Sequence, residues 1–555
     1  MKISINQLFQ HAVTAQKQGQ WKKVIHLLQT LLQAEPNHEQ ALHLMGLAKS
    51  IQQDHQAAEK YVLKSIHLSE SQENLNTLGI IYLRQGQILK AIKYFKKALT
   101  YNNKSSKIYN NLAQSNLLIG NSHEAINNYH IALSIRSDRL LISNYLLGLN
   151  YVSFLSPEQI FQAHAQYARY LNLKVLYKHH SMVSKEKIRI GYVSGSFRQN
   201  SIRFFLLPVL KNFDRNKFIT CCYSDTLRED EITDEIKTYV SEWTRTLHMS
   251  HDEMASKIFQ DKIDILVDLS GHMSGNRLPV FAKQPARIQV TWLGYPNTTG
   301  LQSIHYRFTD AVADPPTNDA YYTEKLIRLS PCFLSYQPDK NSPEVSPLPS
   351  DTTGVFTFGS FNNLAKMNES VIKLWSDILK SLPETRLLIK ANPLSDIKIQ
   401  EFIINKFKSH GVKNEIKCSG FIQNMQSHLS MYHQIDLALD PFPYNGTTTT
   451  CDALLMGVPV LTRCGKMHAS RVGASLLSCI GLNDFIAYSD ADYVSKAIYL
   501  YHHPYILSDL RKKLRHICLQ SVLMNGARFT HSLEAVYYNL ICNDCEKSND
   551  EINSY

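Results

Sequence analysis

A repeat of about 34 residues near the start of the chain restricts its fold more than any other feature of the sequence. When residues 72–105 are aligned with residues 106–139, small residues fall on small ones and aromatic residues on aromatic ones. The matching pairs are Leu78 and Leu112, Gly79 and Ala113, Ala91 and Ala125, Phe95 and Tyr129, and Ala98 and Ala132. Fainter copies precede them, so that about four units span residues 5–138. One such unit cannot bury its apolar face alone, so the period predicts a stacked solenoid.

These units resemble the tetratricopeptide repeat, in which each unit is a pair of helices. The resemblance implies that small residues such as Gly79, Ala91 and Ala98 lie where paired helices approach closely, and that Phe95 and Tyr129 fill the gaps between units. A generic helical bundle would not place so many matches at one offset. Solenoids of this kind usually bind polypeptide segments on a concave face and are rarely catalytic.

Composition excludes several classes of protein. Apolar residues make up 44% and charged residues 19% of 555 residues, which excludes wholesale disorder, collagen and a small disulfide scaffold. The net charge of +11 is compatible with an anionic ligand. It is too dilute to predict nucleic-acid binding, because no basic stripe with interleaved aromatic residues accompanies it.

The sequence also bears on location and metal binding. The N-terminus has no apolar signal-peptide region, and no run of about 18 apolar residues predicts a membrane span. The cysteines are irregularly spaced, and Cys542 with Cys545 forms one isolated CxxC, which is weak support for zinc. We therefore expect a cytoplasmic protein without a metal or another cofactor.

The pattern changes after a helical linker at residues 139–184, whose polar, basic stretch Lys174–Lys187 looks like a boundary. Short apolar runs then alternate with many amphipathic segments, which predicts parallel α/β sheets. We expect two such lobes, at residues 185–345 and 346–545, followed by a polar tail at 546–555. The predicted strands lie in IRIGYVSG, FITCCYS, IDILVDLS, RIQVTWLGY, YRFTDAV, KLIRLS, VFTFGSFNN, RLLIKANP, IKCSGF, IDLALDPF, VPVLTRCG and FIAYS. Ligands of such lobes bind beyond the carboxyl ends of the strands.

Two clusters that follow strands of the second lobe are suited to a diphosphate. Lys366 lies shortly after VFTFGS, although it could equally be a solvated loop lysine. Thr447, Thr448 and Thr449 open a helix after IDLALD, where free N–H groups and the helix dipole attract anions. An ordinary N-cap is the alternative, but it needs only one such residue. Asp452, one turn further on, could accept hydrogen bonds from ribose hydroxyls.

Two glycine-rich turns follow strands of the first lobe and are expected to face the cleft between the lobes. One contains His272, which could instead be a buried structural histidine. The other contains Gly294, Tyr295 and Pro296.

Together, the repeats and motifs resemble the bacterial O-linked N-acetylglucosamine (O-GlcNAc) transferase family over residues 5–545. The motifs are IDILVDLSGHMSGNRL, TWLGYPNTTG, FNNLAKM, DPFPYNGTTTTCDAL and HASRVGASLL. The resemblance implies a tetratricopeptide-repeat solenoid followed by two α/β Rossmann-like domains in the GT-B arrangement. It also implies an inverting, metal-independent hexosyltransferase that moves N-acetylglucosamine from UDP-N-acetylglucosamine to Ser and Thr hydroxyls of proteins bound along the repeats.

By the same resemblance, the family's site residues carry over to positions of this chain. Lys366 would contact the diphosphate and stabilise the leaving group, and Asp452 would bind the ribose. His428 and Asn363 would lie by the nucleotide, and Thr448 and Thr449 would contact the diphosphate at the start of the helix.

One departure leaves the activity open. The segment GYVSGSFRQNSIRFFLLPVL resembles a family segment that carries an Asp and a His, where this chain has Ser196 and Asn200. Asparagine cannot take a proton at neutral pH, so either another group accepts the proton or activity is lost. The sequence thus leaves three alternatives: an active transferase for N-acetylglucosamine, a transferase that uses UDP-glucose, and a non-catalytic UDP-sugar-binding scaffold.

Overall fold

The fold is a helical solenoid followed by two parallel α/β sheets, as the sequence predicts. The computed structural model describes residues 4–171, 177 and 186–553, with side chains described up to residue 543. Its residues group into two units. The first holds the helices up to Leu141 with Asn363–Ala365 and Ala391–Asn405, and the second holds Ile142–Asn362, Lys366–Lys390 and the chain from Lys406 onward.

The solenoid contains eight helices that pack as four consecutive pairs. Side-chain caps begin several of them, such as the reciprocal hydrogen bonds of Ser4 with Gln7 and of Ser71 with Asn74. The helices are α1 (Ile5–Lys17), α2 (Trp21–Ala34), α3 (Glu39–Ile51), α4 (His55–Leu68), α5 (Gln72–Arg84), α6 (Ile88–Tyr101), α7 (Ser106–Leu118) and α8 (Ser122–Ile135).

In the third pair Gly79 marks the close approach of the paired helices, as expected, whereas Phe95, which was expected between units, packs against Gly79 within the unit. Phe95 on α6 is fully buried, and its ring lies over Gly79 on α5. A Cβ atom at Gly79 would come within 2.5 Å of Cε1 of Phe95, so only glycine allows this approach of the two helices. Ala91 and Ala98 are fully buried on the same face of α6.

Two helices and a short 3₁₀ turn form the linker. These are α9 (Arg139–Leu149), α10 (Pro157–Ala165) and the turn at Tyr167–Tyr170. Ser156 caps α10, and Pro157 occupies its first position. The boundary predicted at Lys174–Lys187 lies outside the described residues, apart from Tyr177, Glu186 and Lys187.

The first lobe has a seven-stranded sheet, entirely parallel, in the order β3-β2-β1-β4-β5-β6-β7. Six of its strands are predicted correctly, but Glu242–Arg245 is missed because this short edge strand is polar and partly exposed. Its strands are β1 (Ile188–Ser194), β2 (Phe218–Ser224), β3 (Glu242–Arg245), β4 (Ile265–Asp268), β5 (Ile288–Thr291), β6 (Tyr306–Asp310) and β7 (Lys325–Leu329). Its helices are α11 (Arg203–Asn212), α12 (Glu231–Tyr239), α13 (His251–Gln260) and α14 (Leu278–Phe281).

The second lobe has a parallel sheet of six strands in the order β10-β9-β8-β11-β12-β13, and all six are predicted. They are β8 (Thr357–Ser360), β9 (Arg386–Lys390), β10 (Glu415–Ser419), β11 (Leu437–Leu439), β12 (Val460–Arg463) and β13 (Ile486–Ala487). The helices are α15 (Pro349–Thr353), α16 (Glu369–Ser381), α17 (Ile397–Ser409), α18 (Met425–Ser430), α19 (Thr448–Leu455), α20 (Val472–Cys479), α21 (Asp490–His502) and α22 (Pro504–Gln520).

The last helix, α23 (Gly526–Asn553), packs on the first lobe although it follows the second. Leu533 and Tyr537 belong to the apolar core of the first sheet, and the ring of Phe529 stacks on Trp292 at 6.0 Å. The predicted second lobe, 346–545, therefore gives its final helix to the first, and most of the predicted tail is helical. Among the described residues, no helix combines the length and apolar character that a membrane crossing requires.

Filling the space at Gly79 should weaken the third helix pair. Gly79→Ala gains up to about 1 kcal/mol of helix propensity but forces a methyl group against a buried ring, so we expect a net loss of about 1–3 kcal/mol. Hydrogen exchange of α5 and α6 would measure this, with the exposed Lys96→Ala as control. In a Phe95→Leu background the loss should shrink. An equal loss in both backgrounds would contradict the packing argument.

Candidate functional site

The loops after β8 and β11 meet at the carboxyl edge of the second sheet, where these two strands are neighbours. Lys366, in the loop after β8, donates a hydrogen bond of 2.7 Å from Nζ to the carbonyl oxygen of Asn445, in the loop after β11. The same ammonium lies 4.2 Å from the ring centre of Tyr444. The predicted lysine therefore links the two loops and is not a free surface lysine.

Burial shapes the electrostatics around Lys366. Removal from water lowers the pKa of Lys366, and the charge of Asp440 acts in the opposite direction. Burial raises the pKa of Asp440, against hydrogen bonds of 2.6 Å that it accepts from Thr462 Oγ1 and from the amide of Gly446. In the described part of the chain Lys366 makes no direct ion pair, so a bound anion would stabilise its ammonium form.

The start of α19 faces the same edge of the sheet. Thr447 occupies the N-cap position without a side-chain cap, and Thr448 and Thr449 are half-exposed. Thr449 Oγ1 donates to Oδ1 of Asn362 at 2.9 Å, which joins the helix to the loop after β8. Uncapped N–H groups and the helix dipole make this end attractive to a phosphate group.

Asp452 and His428 lie together behind the threonines. Asp452 is buried, and its Oδ2 lies 3.7 Å from Nε2 of His428. Its Oδ1 accepts a hydrogen bond of 2.6 Å from the hydroxyl of Tyr336. Tyr336 is a buried residue of the segment that follows β7 in the chain. One carboxylate oxygen is thus held by the protein, and the other faces His428.

Sequence reasoning missed two residues of this site. Lys390 ends β9 and lies 2.6 Å from His428, and Asn362, which precedes the predicted Asn363, contacts Thr449. Asn363 is exposed and accepts a hydrogen bond from the amide of Ala365. Lys390 could have been found, because it lies in the predicted run RLLIKANP near its carboxyl end, and ligands bind at such strand ends.

Ser196 and Asn200 follow β1, a central strand of the first sheet. The amide of Ser196 donates to Ser194 Oγ at 3.0 Å, and Asn200 Oδ1 accepts from the amide of Ile202 at 3.3 Å. Both residues are half-buried. Asn200 therefore supports the turn that leads into α11.

We expected both glycine-rich turns to face the cleft, but His272 and Tyr295 pack on the linker helices, while Asn297 of the second turn lines the cavity described below. Tyr295 and Pro296 are buried, and the Tyr295 hydroxyl lies 2.6 Å from His164 Nε2 on α10. A Cβ atom at Gly294 would come within 1.9 Å of the Leu269 carbonyl oxygen, so its glycine permits contact between the two turns.

His272 is a buried structural histidine. Its Nε2 lies 2.9 Å from the carbonyl oxygen of Thr299, which can only accept, so Nε2 carries the proton. Its Nδ1 then accepts a hydrogen bond of 3.1 Å from the hydroxyl of Ser143, which lies on α9. Burial and the neighbouring His164 lower the pKa of His272 to about 3, so it stays neutral and is a poor base.

The motif HASRVGASLL joins the two lobes. His468 Nδ1 lies 2.7 Å from Oδ2 of Asp314, and Ser475 Oγ donates to Oδ2 of Asp310 at 2.6 Å. Burial alone would raise the pKa of Asp314, but the charge and hydrogen bond of His468 outweigh it and hold the pKa well below its usual range. Arg471 Nε donates to the carbonyl oxygen of Val312 at 2.8 Å.

A cavity of about 570 Å³ opens beside this junction, which is a volume typical of small-molecule sites. Linker residues 149–160, Asn297 and Tyr321 line one side, and residues 463–471 and Pro443 line the other. Arg463, Lys466 and Arg471 make its second side basic. Among the described side chains, no group of three or more His, Cys, Asp or Glu could hold a metal.

Comparison with known proteins identifies the family to which the chain belongs. The sequence profile of "Glycosyl transferase family 41" matches residues 168–338 and 344–533, which is more than half of the chain. The chain belongs to glycosyl transferase family 41. A tetratricopeptide-repeat profile also matches residues 72–105, the third predicted unit.

Family 41 relatives include plant proteins and a bacterial structure. The chain is 36% identical over 411 residues to the "Probable UDP-N-acetylglucosamine--peptide N-acetylglucosaminyltransferase SPINDLY" of Solanum lycopersicum, covering 73% of this chain and 44% of that protein. It is 31% identical over 369 residues to the corresponding protein SEC of Arabidopsis thaliana, covering 64% and 37%. The chain thus spans less than half the length of these curated relatives.

A solved structure matches nearly the whole chain. It is that of a single-substitution mutant of the O-GlcNAc transferase of Thermobaculum terrenum, with a TM-score of 0.83, 29% sequence identity and coverage of 98% of both chains. This match includes the solenoid and both sheets, so the order of domains is that of a family 41 enzyme.

If His272 is structural, replacing it should change stability and its dependence on pH. A histidine whose folded pKa is lowered binds fewer protons than in the unfolded chain, so its contribution falls as pH drops from about 6.5 towards 3. His272→Gln should therefore reduce the loss of unfolding free energy between pH 7.5 and 5, as measured by chemical unfolding. The control His26→Gln, at an exposed position, should leave this loss unchanged. An unchanged slope in His272→Gln would contradict this role.

Proposed function

We propose that this family 41 protein transfers N-acetylglucosamine from UDP-N-acetylglucosamine to Ser and Thr hydroxyls of proteins, with inversion and without a metal. The names of the plant relatives and of the bacterial structure support this donor and this kind of acceptor. The observation that carries the proposal is the convergence of Lys366 and the uncapped start of α19 at one edge of the second sheet.

These groups suit the departure of a nucleoside diphosphate. When the bond between the sugar C1 and the phosphate oxygen breaks, negative charge grows on the diphosphate. An ammonium group that is already desolvated and a helix start that is already oriented stabilise this charge without rearrangement. The acceptor oxygen attacks C1 from the opposite face, which inverts the configuration. Lys366, Thr448 and Thr449 would contact the diphosphate, and transfer should persist in EDTA.

The acceptor hydroxyl must also lose its proton. Asn200 cannot accept it, and His272 is too weakly basic and fully enclosed. We therefore propose that a phosphate oxygen of the donor or a water molecule takes the proton as C1 is attacked. Asp452 and His428 would bind the ribose and Asn362 would orient Thr449, while the predicted Asn363 keeps its proposed place by the nucleotide.

Acceptor proteins would bind along the solenoid. The described cysteines are free thiols, which supports action in a reducing compartment such as the cytoplasm. If the protein binds UDP but transfers no sugar, it would instead be a non-catalytic scaffold. Asn200 and Ser196, which replace the family's His and Asp, raise this alternative. Faster transfer from UDP-glucose would change the sugar and leave the rest of the proposal in place.

Removing the ammonium of Lys366 should slow transfer without unfolding the chain. For Lys366→Met we expect a loss of about 2–4 kcal/mol of transition-state stabilisation, because one preorganised charge is removed. Radiolabel transfer from UDP-N-acetylglucosamine and UDP-glucose into host lysate would measure it, with the exposed Lys373→Met on α16 as control. Equal turnover in Lys366→Met and Lys373→Met would exclude the proposed role of Lys366.

Restoring the family's histidine should have little effect if no side-chain base is needed. We expect Asn200→His to change the rate by less than about tenfold and the parent rate to be nearly flat from about pH 6 to 7, below the pKa of about 8 to which burial lowers Lys366. The control is Gln199→His, at an exposed neighbouring position. An inert parent that gains about 10²-fold or more from Asn200→His with Ser196→Asp would instead show that a required base has been lost.

A further inference from the structure

Lys390 and His428 form a close contact that fixes the position of a proton. Nζ of Lys390 lies 2.6 Å from Nδ1 of His428, which is hydrogen-bonding distance. A lysine ammonium has three donors and no acceptor, so Nδ1 must be the acceptor in this contact. A neutral imidazole that accepts at Nδ1 carries its proton on Nε2.

The surroundings keep Lys390 a donor near neutral pH. The residue is only 8% exposed, and burial lowers its pKa to about 8, while the charge of Asp452 acts in the opposite direction. The ammonium form therefore still predominates at pH 7. In the described part of the chain Lys390 has no ion pair within 4 Å, and its hydrogen bond to His428 is its direct polar contact.

The opposite side of the imidazole faces Asp452. Nε2 of His428 lies 3.7 Å from Oδ2 of Asp452, which is too long for a direct hydrogen bond. Tyr336 occupies the other carboxylate oxygen at 2.6 Å. A hydroxyl oxygen placed about 2.8 Å from both atoms could accept from Nε2–H and donate to Oδ2. With the imidazole proton on Nε2 this pair can therefore hold a hydroxyl group by two hydrogen bonds, whereas with the proton on Nδ1 it can hold the same hydroxyl by one.

We propose that Lys390 is a positioning residue that holds the proton of His428 on Nε2, so that His428 and Asp452 together bind one ribose hydroxyl of the nucleotide. The inference rests on the proposed function for the identity of the nucleotide. Lys390 acts through His428 and does not itself touch the sugar.

The proton position is measurable in the protein without any ligand. In chain labelled with ¹⁵N-histidine, the His428 signals, assigned with His428→Gln, should show a protonated Nε2 and an unprotonated Nδ1 near pH 7. Lys390→Arg should keep this form because it also donates, whereas Lys390→Met should populate the Nδ1–H form. The control is Lys417→Met on β10, where the exposed side chain pairs with Glu415. A protonated Nδ1 in the parent chain would overturn the proposal, whether or not the variants fold.

Binding of UDP, 2′-deoxy-UDP and 3′-deoxy-UDP, measured by calorimetry, tests the consequence. The parent should prefer UDP over one deoxy analogue by about tenfold, the value of one good hydrogen-bonded pair. Lys390→Met should lose most of this preference, while Lys390→Arg and Lys417→Met keep it. An equal loss of affinity by Lys390→Met for all three nucleotides would mean direct contact with the phosphates and would overturn the positioning role.

These outcomes separate the inference from the proposed transferase activity. A chain that discriminates the nucleotides through Lys390 but transfers no sugar supports the inference and contradicts the transferase. A chain that transfers N-acetylglucosamine, with nucleotide discrimination unchanged by Lys390→Met, supports the transferase and contradicts the inference.

Discussion

Desolvation of two lysines, Lys366 and Lys390, governs the chemistry at the carboxyl edge of the second sheet. An ammonium group taken out of water loses hydration energy, and neither lysine recovers it through a direct ion pair in the described part of the chain. The buried carboxylates Asp440 and Asp452 act on them only at longer range. A phosphate group that reaches Lys366 therefore gains more than it would at a hydrated surface, because little charge has to be stripped of water on binding.

This arrangement requires that the loops around the two lysines be held in place. Buried polar contacts between the two lobes hold them. Tyr336, in the segment after β7, fixes Asp452. His468 meets Asp314, just after β6, and Ser475 meets Asp310, the last residue of β6. Such contacts are satisfied only in one relative placement of the two sheets, because each buried group left unpaired costs about 1–3 kcal/mol. The α23 helix, which crosses back to the first core, adds apolar contact to the same junction.

The sequence allows prediction of most strands because parallel strands are apolar runs with a helix between many of them, and the repeat because its period is fixed. It does not reveal Glu242–Arg245, whose polar side chains give no apolar run. In the site, Lys366 and the α19 start follow from their position after strands. Asn362 and Asn363 are adjacent amides, and only the backbone turn decides which one reaches Thr449. The role of His272 depends on the linker helices, which no local pattern in the glycine-rich turn reveals.

The two lobes differ in the charge of the polar groups that they offer, and this difference bears on how the acceptor hydroxyl is activated. The second lobe offers Lys366 and the uncapped start of α19, which in the proposed reaction would stabilise the leaving diphosphate. The first lobe offers Ser196 and Asn200 after β1, which are neutral, and His272, which burial keeps uncharged, as it does His164 on the linker helix α10. A site built in this way lowers the barrier through the leaving group. As the bond to the diphosphate breaks, C1 becomes electron-poor, and the attacking hydroxyl becomes acidic only late in the reaction. A phosphate oxygen or water is then a sufficient base, so a chain with asparagine in place of histidine can retain this chemistry.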